Sequence, residues 1–316
     1  MPIINQVVKG GGTTPTGTIQ ITTNGTHDVT NYASADVQVP TTAPAHYLEK
    51  TVDANGKLVN GSTSVIDLTG VTDVSDYILA YAYYQNTAIS GDVDLSGLTT
   101  LTGNNACYNM FYGCTGLTSV NLSSLTTISS NYACQNMFYG CTGLTSVDMS
   151  SLTTVSGLRA CDSMFSGCTG LTTVDLSSLT TVSNLQACQN MFYGCTGLTT
   201  VDLSSLTTVS SQEACKNMFS GCTGLTTVDL SSLTTVSGQQ ACQNMFNGCT
   251  SLATVYIGGT TAIDFGSYTN QFYGMFQGCT QNIDVYAPAA NQTQIEAMSG
   301  YPNFGATGTV TWHWRS

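Results

Sequence analysis

Thirteen cysteines are the residues of this 316-residue chain whose side chains are best suited to chemistry, and their spacing is regular. Twelve of them form two columns that each step by 27 residues: Cys107, Cys134, Cys161, Cys188, Cys215 and Cys242, then Cys114, Cys141, Cys168, Cys195, Cys222 and Cys249. The thirteenth, Cys279, lies in the last repeat unit. The Cys-x6-Cys pairs lack the C-x2-4-C spacing of a zinc site. On a helix, Cys188 and Cys195 would be ~10 Å apart, too far for a disulfide. We therefore predict buried, reduced thiols that pack as small apolar side chains.

An aspartate column repeats with the same 27-residue step: Asp94, Asn121, Asp148, Asp175, Asp202, Asp229 and Tyr256. Asp284 follows 28 residues later. Carboxylates at strand spacing repel one another, so raised pKa values or an affinity for cations would follow. The column is the candidate ligand-binding strip, for a cation or another polar ligand. The alternative is that each carboxylate satisfies neighbouring hydroxyl and backbone groups.

Hydroxyl residues flank this column, namely Thr173, Thr200, Thr227, Thr254, Ser177, Ser204 and Ser231. Hydroxyl arrays of this kind occur on sugar-binding faces and on ice-binding solenoids, but they also make an ordinary soluble β-surface. Tyr112, Tyr139 and Tyr193 form a further column, which is either a set of aromatic contacts or an amphipathic rim.

Catalysis has little support in the sequence. The three histidines, His27, His46 and His313, lie outside the repeats and in no nucleophile or metal motif. No glycine-rich phosphate loop is present. We predict no catalytic residue, no metal site and no cofactor.

The elements that position these columns follow from the period. A fixed repeat of 27 residues predicts a solenoid whose coils stack to share one core. The alternation around Val201 and Leu203 predicts a short strand, and the apolar positions 215, 218, 219 and 222 predict one face of a short helix. The predicted fold is an α/β repeat solenoid with a parallel β-sheet on one face, short helices on the other, and a small N-terminal β module.

The predicted segments are a docking peptide and flexible linker (1–17), a small β module (18–45), a hairpin and N-terminal cap (46–66), the solenoid (67–283) and a C-terminal cap (284–316). Docking is assigned to the apolar residues Ile3, Ile4, Val7 and Val8, and a disordered terminus is the alternative. A helix is predicted over 291–298 in the C-terminal cap. Trp312 and Trp314 are predicted to pack within that cap.

Composition argues against two classes of partner. Only 8% of the residues are charged, and the net charge is −12 with six Lys and Arg. Nucleic acid and anionic membranes both require a basic face, so we predict neither as a partner. No apolar run approaches ~18 residues and no signal-peptide pattern opens the chain, which predicts synthesis in a cytoplasm without membrane insertion.

The motif L-x-x-V-x-L followed by N-M-F-x-G-C-T-G-L resembles the BspA-type leucine-rich repeats across the predicted solenoid. The chain departs from that pattern in the extra cysteine of A-C-x-N-M and in the near identity of its repeats. The resemblance implies a surface-exposed, adhesive or ligand-binding protein, with a strand-lined sheet on one face, helices on the other, and no catalytic residues to transfer.

The segment GTIQITTNGTHDVTNYASADVQVP resembles one near the front of phage structural proteins and Gram-positive surface proteins. Together the two resemblances predict a non-enzymatic virion structural protein, either a phage fibre or a head or tail decoration. It would be made in the host cytoplasm and dock on other virion proteins by its N-terminus. Its solenoid would bind a host-surface protein or glycan, with a homo-oligomer possible. The alternative is a bacterial cell-surface adhesin.

Overall fold

The computed structural model describes residues 89–316 without a break, preceded by 17–22, 36–38, 51–52, 58–59, 71–74, 79–80 and 83–87. Gly17–Thr22 pairs antiparallel with Asp36–Gln38 and parallel with Val71–Val74. Thr51–Val52 pairs antiparallel with Leu58–Val59. The first two strands fall in the predicted β module and the last two in the predicted hairpin, whereas Val71–Val74 falls in the predicted solenoid. The boundaries between the segments remain predictions.

The largest element of the solenoid is a parallel sheet of nine strands, which we call the sheet wall. Its strands are Ser90–Asp94, Gly116–Asn121, Ser146–Asp148, Thr173–Asp175, Thr200–Asp202, Thr227–Leu230, Thr254–Ile257, Ile283–Pro288 and Val310–Arg315. Side chains alternate across each strand. In the strand at 146–148, Val147 is buried while Ser146 and Asp148 are exposed. The sheet wall therefore seals the core with valines and turns hydroxyl and carboxylate groups outward.

A second wall follows after one tight turn in each coil. It is a parallel sheet of six two-residue strands: Thr100–Leu101, Thr127–Ile128, Thr154–Val155, Thr181–Val182, Thr208–Val209 and Thr235–Val236. The side chain of the threonine just before a strand hydrogen-bonds to the backbone of the preceding coil. Thr153 Oγ1, for example, donates to the backbone oxygen of Thr126, one coil earlier, at 3.0 Å.

The third side of each coil is a ladder of turns, which we call the turn wall, and the prediction of helices there is wrong. In residues 131–141 every second backbone N–H donates to the next coil, as from Cys134 to the oxygen of Ala160 at 2.8 Å. The N–H groups between them donate three residues back, as from Met137 to the oxygen of Cys134 at 3.1 Å. Within residues 89–316 the one α-helix is Gln292–Glu296, in the C-terminal cap.

Left-handed backbone explains why no helix forms. Positive φ recurs at every fourth residue, at Tyr132 (57°), Asn136 (53°) and Gly140 (68°). Glycine and asparagine adopt this conformation at the least cost, and a helix cannot contain it. The buried positions 133, 134, 137, 138 and 141 repeat with a period of four, which resembles the helical period of 3.6 closely enough to mislead.

Stacked side chains fill the space between the three walls. The rings of Phe111, Phe138, Phe165, Phe192, Phe219, Phe246 and Phe276 form one file, with centroids 5.2 to 6.2 Å apart. All thirteen cysteines are free and buried, as the sequence predicts, although the helix assumed in that argument is absent. In the second cysteine column each thiol donates to an aromatic residue's carbonyl, Cys114 to that of Tyr83 and the later members to those of phenylalanines, as from Cys195 Sγ to the oxygen of Phe165 at 3.1 Å.

The C-terminal cap continues the sheet wall. A 3-10 turn, Ala289–Asn291, and the helix Gln292–Glu296 connect its last two strands, so the predicted helix is present but shorter. Trp312 and Trp314 pack against the core with partly buried rings that stack at 5.5 Å. Trp312 Nε1 also donates to the oxygen of Pro302 at 3.0 Å. Both tryptophans pack within the cap, as predicted.

Candidate ligand-binding face

The outward side of the sheet wall brings the aspartate column together as one line. In-register pairing joins Asp94 to Asn121, Asp148 to Asp175, and Asp202 to Asp229, with each pair continuing into the next. The last member selected from the sequence is Tyr256, which pairs with Asp229. Neighbouring members are one strand spacing apart, ~4.8 Å. All seven residues selected from the sequence therefore share one face.

Each carboxylate of the column is held by its own backbone. Oδ1 of Asp148 accepts the backbone N–H of Ser150 at 3.1 Å, and Oδ1 of Asp175 accepts that of Ser177 at 2.9 Å. The same bond recurs at Asp94, Asn121, Asp202 and Asp229. One oxygen of every aspartate thus fixes the turn that follows the strand. The second oxygen belongs to an exposed or half-buried side chain and can meet a ligand.

These hydrogen bonds reverse the expected direction of titration at Asp175. Like-charge repulsion along the column predicts a raised pKa. Instead, hydrogen bonds from the Ser177 hydroxyl and N–H hold the pKa of Asp175 below its ordinary value. The expectation is wrong here because local donors stabilise the charged form. Asp92, which pairs with Ser119 in the next strand, behaves alike, since the hydroxyls of Ser119 and Thr118 lower its pKa.

The column does not converge on a metal centre. In the part of the chain that the structure describes, no group of three or more His, Cys, Asp or Glu side chains is arranged to hold a metal ion. A line of carboxylates one strand apart presents its oxygens along an axis, whereas a closed ion site needs several oxygens around one point. The geometry suits an extended ligand that meets one carboxylate after another.

A hydroxyl column runs beside the carboxylates. It comprises Ser119, Ser146, Thr173, Thr200, Thr227 and Thr254 and is in register from strand to strand. Ser146, Thr173, Thr200 and Thr227 are exposed. With the aspartate column they line a groove of about 810 Å³ that spans five strands, from Ser119 to Asp229.

A neighbouring threonine column serves structure instead. Oγ1 of Thr145, Thr172 and Thr199 donates to the backbone oxygen of the equivalent residue one coil earlier, at 3.0 to 3.2 Å. Exposed hydroxyls on this face thus divide into those that join coils and those that line the groove.

The groove ends against an aromatic stack that sequence reasoning missed. Tyr256, Tyr286 and His313 lie side by side, with ring centroids 5.0 and 4.6 Å apart. The sequence period had placed Asp284 next in the aspartate column. The register instead pairs Asp284 with Thr254 and Tyr286 with Tyr256. Three extra residues in the last full coil shift the phase, and the 30-residue step from Cys249 to Cys279 is the signal that could have revealed it.

Two charged side chains surround this stack. Asp284 Oδ1 lies 2.9 Å from His313 Nε2. The guanidinium of Arg315 lies 5.7 Å from the centroid of the Tyr256 ring and donates to the backbone oxygen of Gly258. These contacts fix the orientation of the rings at the end of the groove.

The remaining sequence candidates do not contribute to this face. The thiols are buried behind the turn wall. Burial raises the pKa of Cys195 to about 12, so that thiol remains protonated and unreactive. The proposed docking residues Ile3, Ile4, Val7 and Val8 lie outside the described residues.

Comparison with known proteins identifies the repeat. Six copies of the BspA type leucine-rich-repeat region match residues 77–213 and 134–282. No curated protein matches the chain. Among solved structures, a chain in the crystal structure of a TLR13–ssRNA13 complex is similar at 14% identity and a TM-score of 0.21; the match covers 70% of this chain and 41% of that one.

Within the described residues, no helix is long and apolar enough to span a membrane. The repeat match covers more than half of the sequence, and the parallel sheet of stacked coils agrees with it. The chain belongs to the BspA-type leucine-rich-repeat family.

Proposed function

We propose that the protein is a non-enzymatic adhesion scaffold that binds an extended partner along the groove of the sheet wall. The observation that carries the proposal is the pre-oriented aspartate column beside an exposed hydroxyl column. A ligand would meet groups that are already fixed by backbone bonds, which lowers the entropic cost of binding. The repeat family supports this role, since solenoids provide extended binding surfaces.

Binding fits the face better than catalysis does. Acid–base catalysis uses two groups whose surroundings push their pKa values apart. The groove instead offers nearly identical groups in successive coils, from Asp148 to Asp229. Repeated groups give a graded, multi-contact attachment in which each coil adds a small contribution.

A fourfold variant tests the proposal: Asp148, Asp175, Asp202 and Asp229 each changed to Asn. The chain itself shows that this change is tolerated, because Asn121 makes the same bond to the N–H of Ser123 at 3.0 Å. We expect unchanged thermal unfolding and at least a ~10-fold loss of adhesion to host cells or their surface extracts, since charge-assisted hydrogen bonds are about twice as strong as neutral ones.

The matched control changes the turn wall. Tyr139→Ser and Tyr193→Ser follow the chain's own precedent, since Ser166 and Ser220 occupy the equivalent positions. These variants should adhere like the parent protein. Adhesion that survives the fourfold change but is lost in the tyrosine variants would move the binding face to the turn wall and overturn the proposal.

The narrower assignment to a virion rests on the resemblance of residues 17–40 to segments of phage structural proteins. We propose that residues 1–17 dock the protein on a virion, as a fibre or decoration, and that the solenoid faces outward toward a host-surface protein or glycan. Attachment to a bacterial cell surface is the competing assignment. Mass spectrometry of purified virions and washed cell-surface fractions separates the two. Deletion of residues 1–15 should abolish virion attachment while leaving the melting of the solenoid unchanged.

A further inference from the structure

The outward column of the sheet wall changes chemistry abruptly at one step. Asp229 is the last carboxylate and pairs in register with Tyr256, the first ring of the aromatic stack. The groove lining runs up to Asp229. A short carboxylate therefore lies ~4.8 Å from a much larger ring, and the aromatic stack begins one strand beyond the last strand that lines the groove.

We propose that this step is a binding subsite for one sugar unit at the end of a neutral glycan chain that lies in the groove. The inference rests on the proposed function, because it names the ligand class of the same face. A sugar ring carries an apolar C–H surface and a rim of hydroxyls. The Tyr256 ring offers an apolar surface for the former. The free carboxylate oxygen of Asp229 and the hydroxyl of Thr227 accept hydrogen bonds from the latter.

The Tyr256 ring is held in place by its neighbours before any ligand binds. Tyr286 stacks behind Tyr256 at 5.0 Å and His313 stacks behind Tyr286 at 4.6 Å. Arg315 lies 5.7 Å from the Tyr256 centroid and is anchored to the oxygen of Gly258. A ring held on one side and by a neighbouring cation loses little freedom when a ligand packs on it.

The repeat of the groove suits a repeating ligand. Each coil adds one carboxylate and one hydroxyl at a step of ~4.8 Å, which is about the length of a sugar unit in an extended chain. Asp148, Asp175 and Asp202 would contact successive units as hydrogen-bond acceptors. Their negative charge disfavours sialylated or uronate-containing chains, so the expected ligand is neutral.

The test uses the full chain on immobilised probes: neutral oligosaccharides of hexose and N-acetylhexosamine units, sialylated and uronate-containing counterparts, and oligolysine. We expect binding to at least one neutral oligosaccharide. Tyr256→Ala should weaken it about 10-fold, whereas Tyr256→Phe, which keeps the ring, should bind within about 2-fold of the parent. Tyr193→Ser serves as the control for loss of an exposed tyrosine.

Asp229→Asn is a second test variant in case Tyr256→Ala misfolds. It should fold, because Asn121 shows that the column accepts asparagine. It should weaken oligosaccharide binding about 5-fold with unchanged melting. Binding to oligolysine alone, or equal binding by the Tyr256 variants, would overturn the sugar subsite and leave the adhesive face standing. Cell adhesion that ignores every groove variant would overturn the proposed function itself, whatever the oligosaccharides do.

Discussion

The sheet wall and the turn wall are built from the same repeat, yet their outward surfaces differ in kind. The sheet wall shows the same kind of hydroxyl and a carboxylate in every coil from Asp148 to Asp229. The turn wall varies at nearly every outward position and neutralises its charges. Arg159 donates to Gln186 at 2.5 Å, Gln186 donates to Glu213 at 2.6 Å, and Glu213 binds Lys216 at 2.7 Å.

This difference separates what the fold requires from what it permits. The turn wall keeps one backbone ladder whether Tyr139 or Ser166 occupies the position before the glycine. The sheet wall needs an acceptor at the aspartate position, but Asn121 meets that need without a charge. Uniform negative charge on one wall is therefore not imposed by folding, which supports the assignment of binding to that wall.

The largest effect that we predict is a loss of stability at alkaline pH, and it comes from the turn wall. Every buried thiol lies behind the turn wall, where burial raises the pKa of Cys279 to about 11 and that of Cys195 to about 12, from an ordinary 9.0. The unfolded chain releases these protons first, so stability falls from about pH 9 upward, by up to ~1.4 kcal/mol per pH unit for each thiol whose pKa is raised in the folded state. Melting followed by circular dichroism from pH 7 to 11 measures it.

Thiol alkylation supplies the control for that experiment. At pH 8 the native protein should resist alkylation, and all thirteen cysteines should react after denaturation. A melting temperature that stays constant to pH 11 would contradict the alkaline prediction. A reductant should leave melting unchanged, because the thiols are not paired in disulfides.

Phe192→Ala should cost ~3–5 kcal/mol, because it removes a ring from the file that joins the walls. The centroid of the Phe192 ring lies 5.5 Å from that of Phe165 and 5.4 Å from that of Phe219. The next residue, Tyr193, is 48% exposed on the turn wall. Tyr193→Ala should change the free energy of unfolding by no more than ~0.5 kcal/mol. Chemical denaturation of both variants tests the contrast, and equal effects would refute the assignment of inner and outer positions.

Gly194→Ala should cost ~1–2 kcal/mol, because the residue has a φ of 70° in the turn wall. No atom lies within 4 Å of the added Cβ, so the cost is backbone strain alone. Gly194→Asn should cost less, since Asn190 and Asn217 already adopt positive φ. Urea unfolding compares the two. A neutral alanine variant would mean that the turn wall can adopt another backbone conformation.

Asp175→Ala should lower the free energy of unfolding by about 1 kcal/mol, from loss of the bond to Ser177. Asp175→Asn should be nearly neutral. Because the Asp175 pKa is lowered in the folded state, its contribution is present above the unfolded pKa of ~3.9 and is lost as the pH falls. The parent should therefore lose more stability than the Asn variant between pH 5 and 2 when unfolding is measured as a function of pH. Parallel curves of stability against pH for the two proteins would argue against this bond.

Period and residue type predict much of this structure. The 27-residue step in the sequence gives the coils, the parallel register and the shared face of Asp94 to Tyr256. The turn wall could not be predicted as easily, because its hydrogen bonds run between coils and its period of four imitates a helix. Asn217 and Gly221, spaced by four at positions of positive φ, are the signal in the sequence.

The aromatic end of the groove was harder to predict for a different reason. Three additional residues before Phe272 break the period, so Tyr286 and His313 fall out of phase with the column that they join. Only the strand register of the structure shows that Tyr286 and His313 continue that column. A repeat period cannot be extrapolated to the ends of a solenoid. The terminal coils pack against only one neighbour, so their sequences depart from the repeat.

The in-register coils also make the length of the groove a discrete, adjustable quantity. Removing residues 176–202 would place Leu203 after Asp175, where Leu176 stands now, and the junction would contain the same neighbours as before. The gene could therefore lose or gain one coil without a new contact having to form. Each such event would shorten or lengthen the groove by ~4.8 Å, so the number of coils would set the length of the ligand that we propose for it.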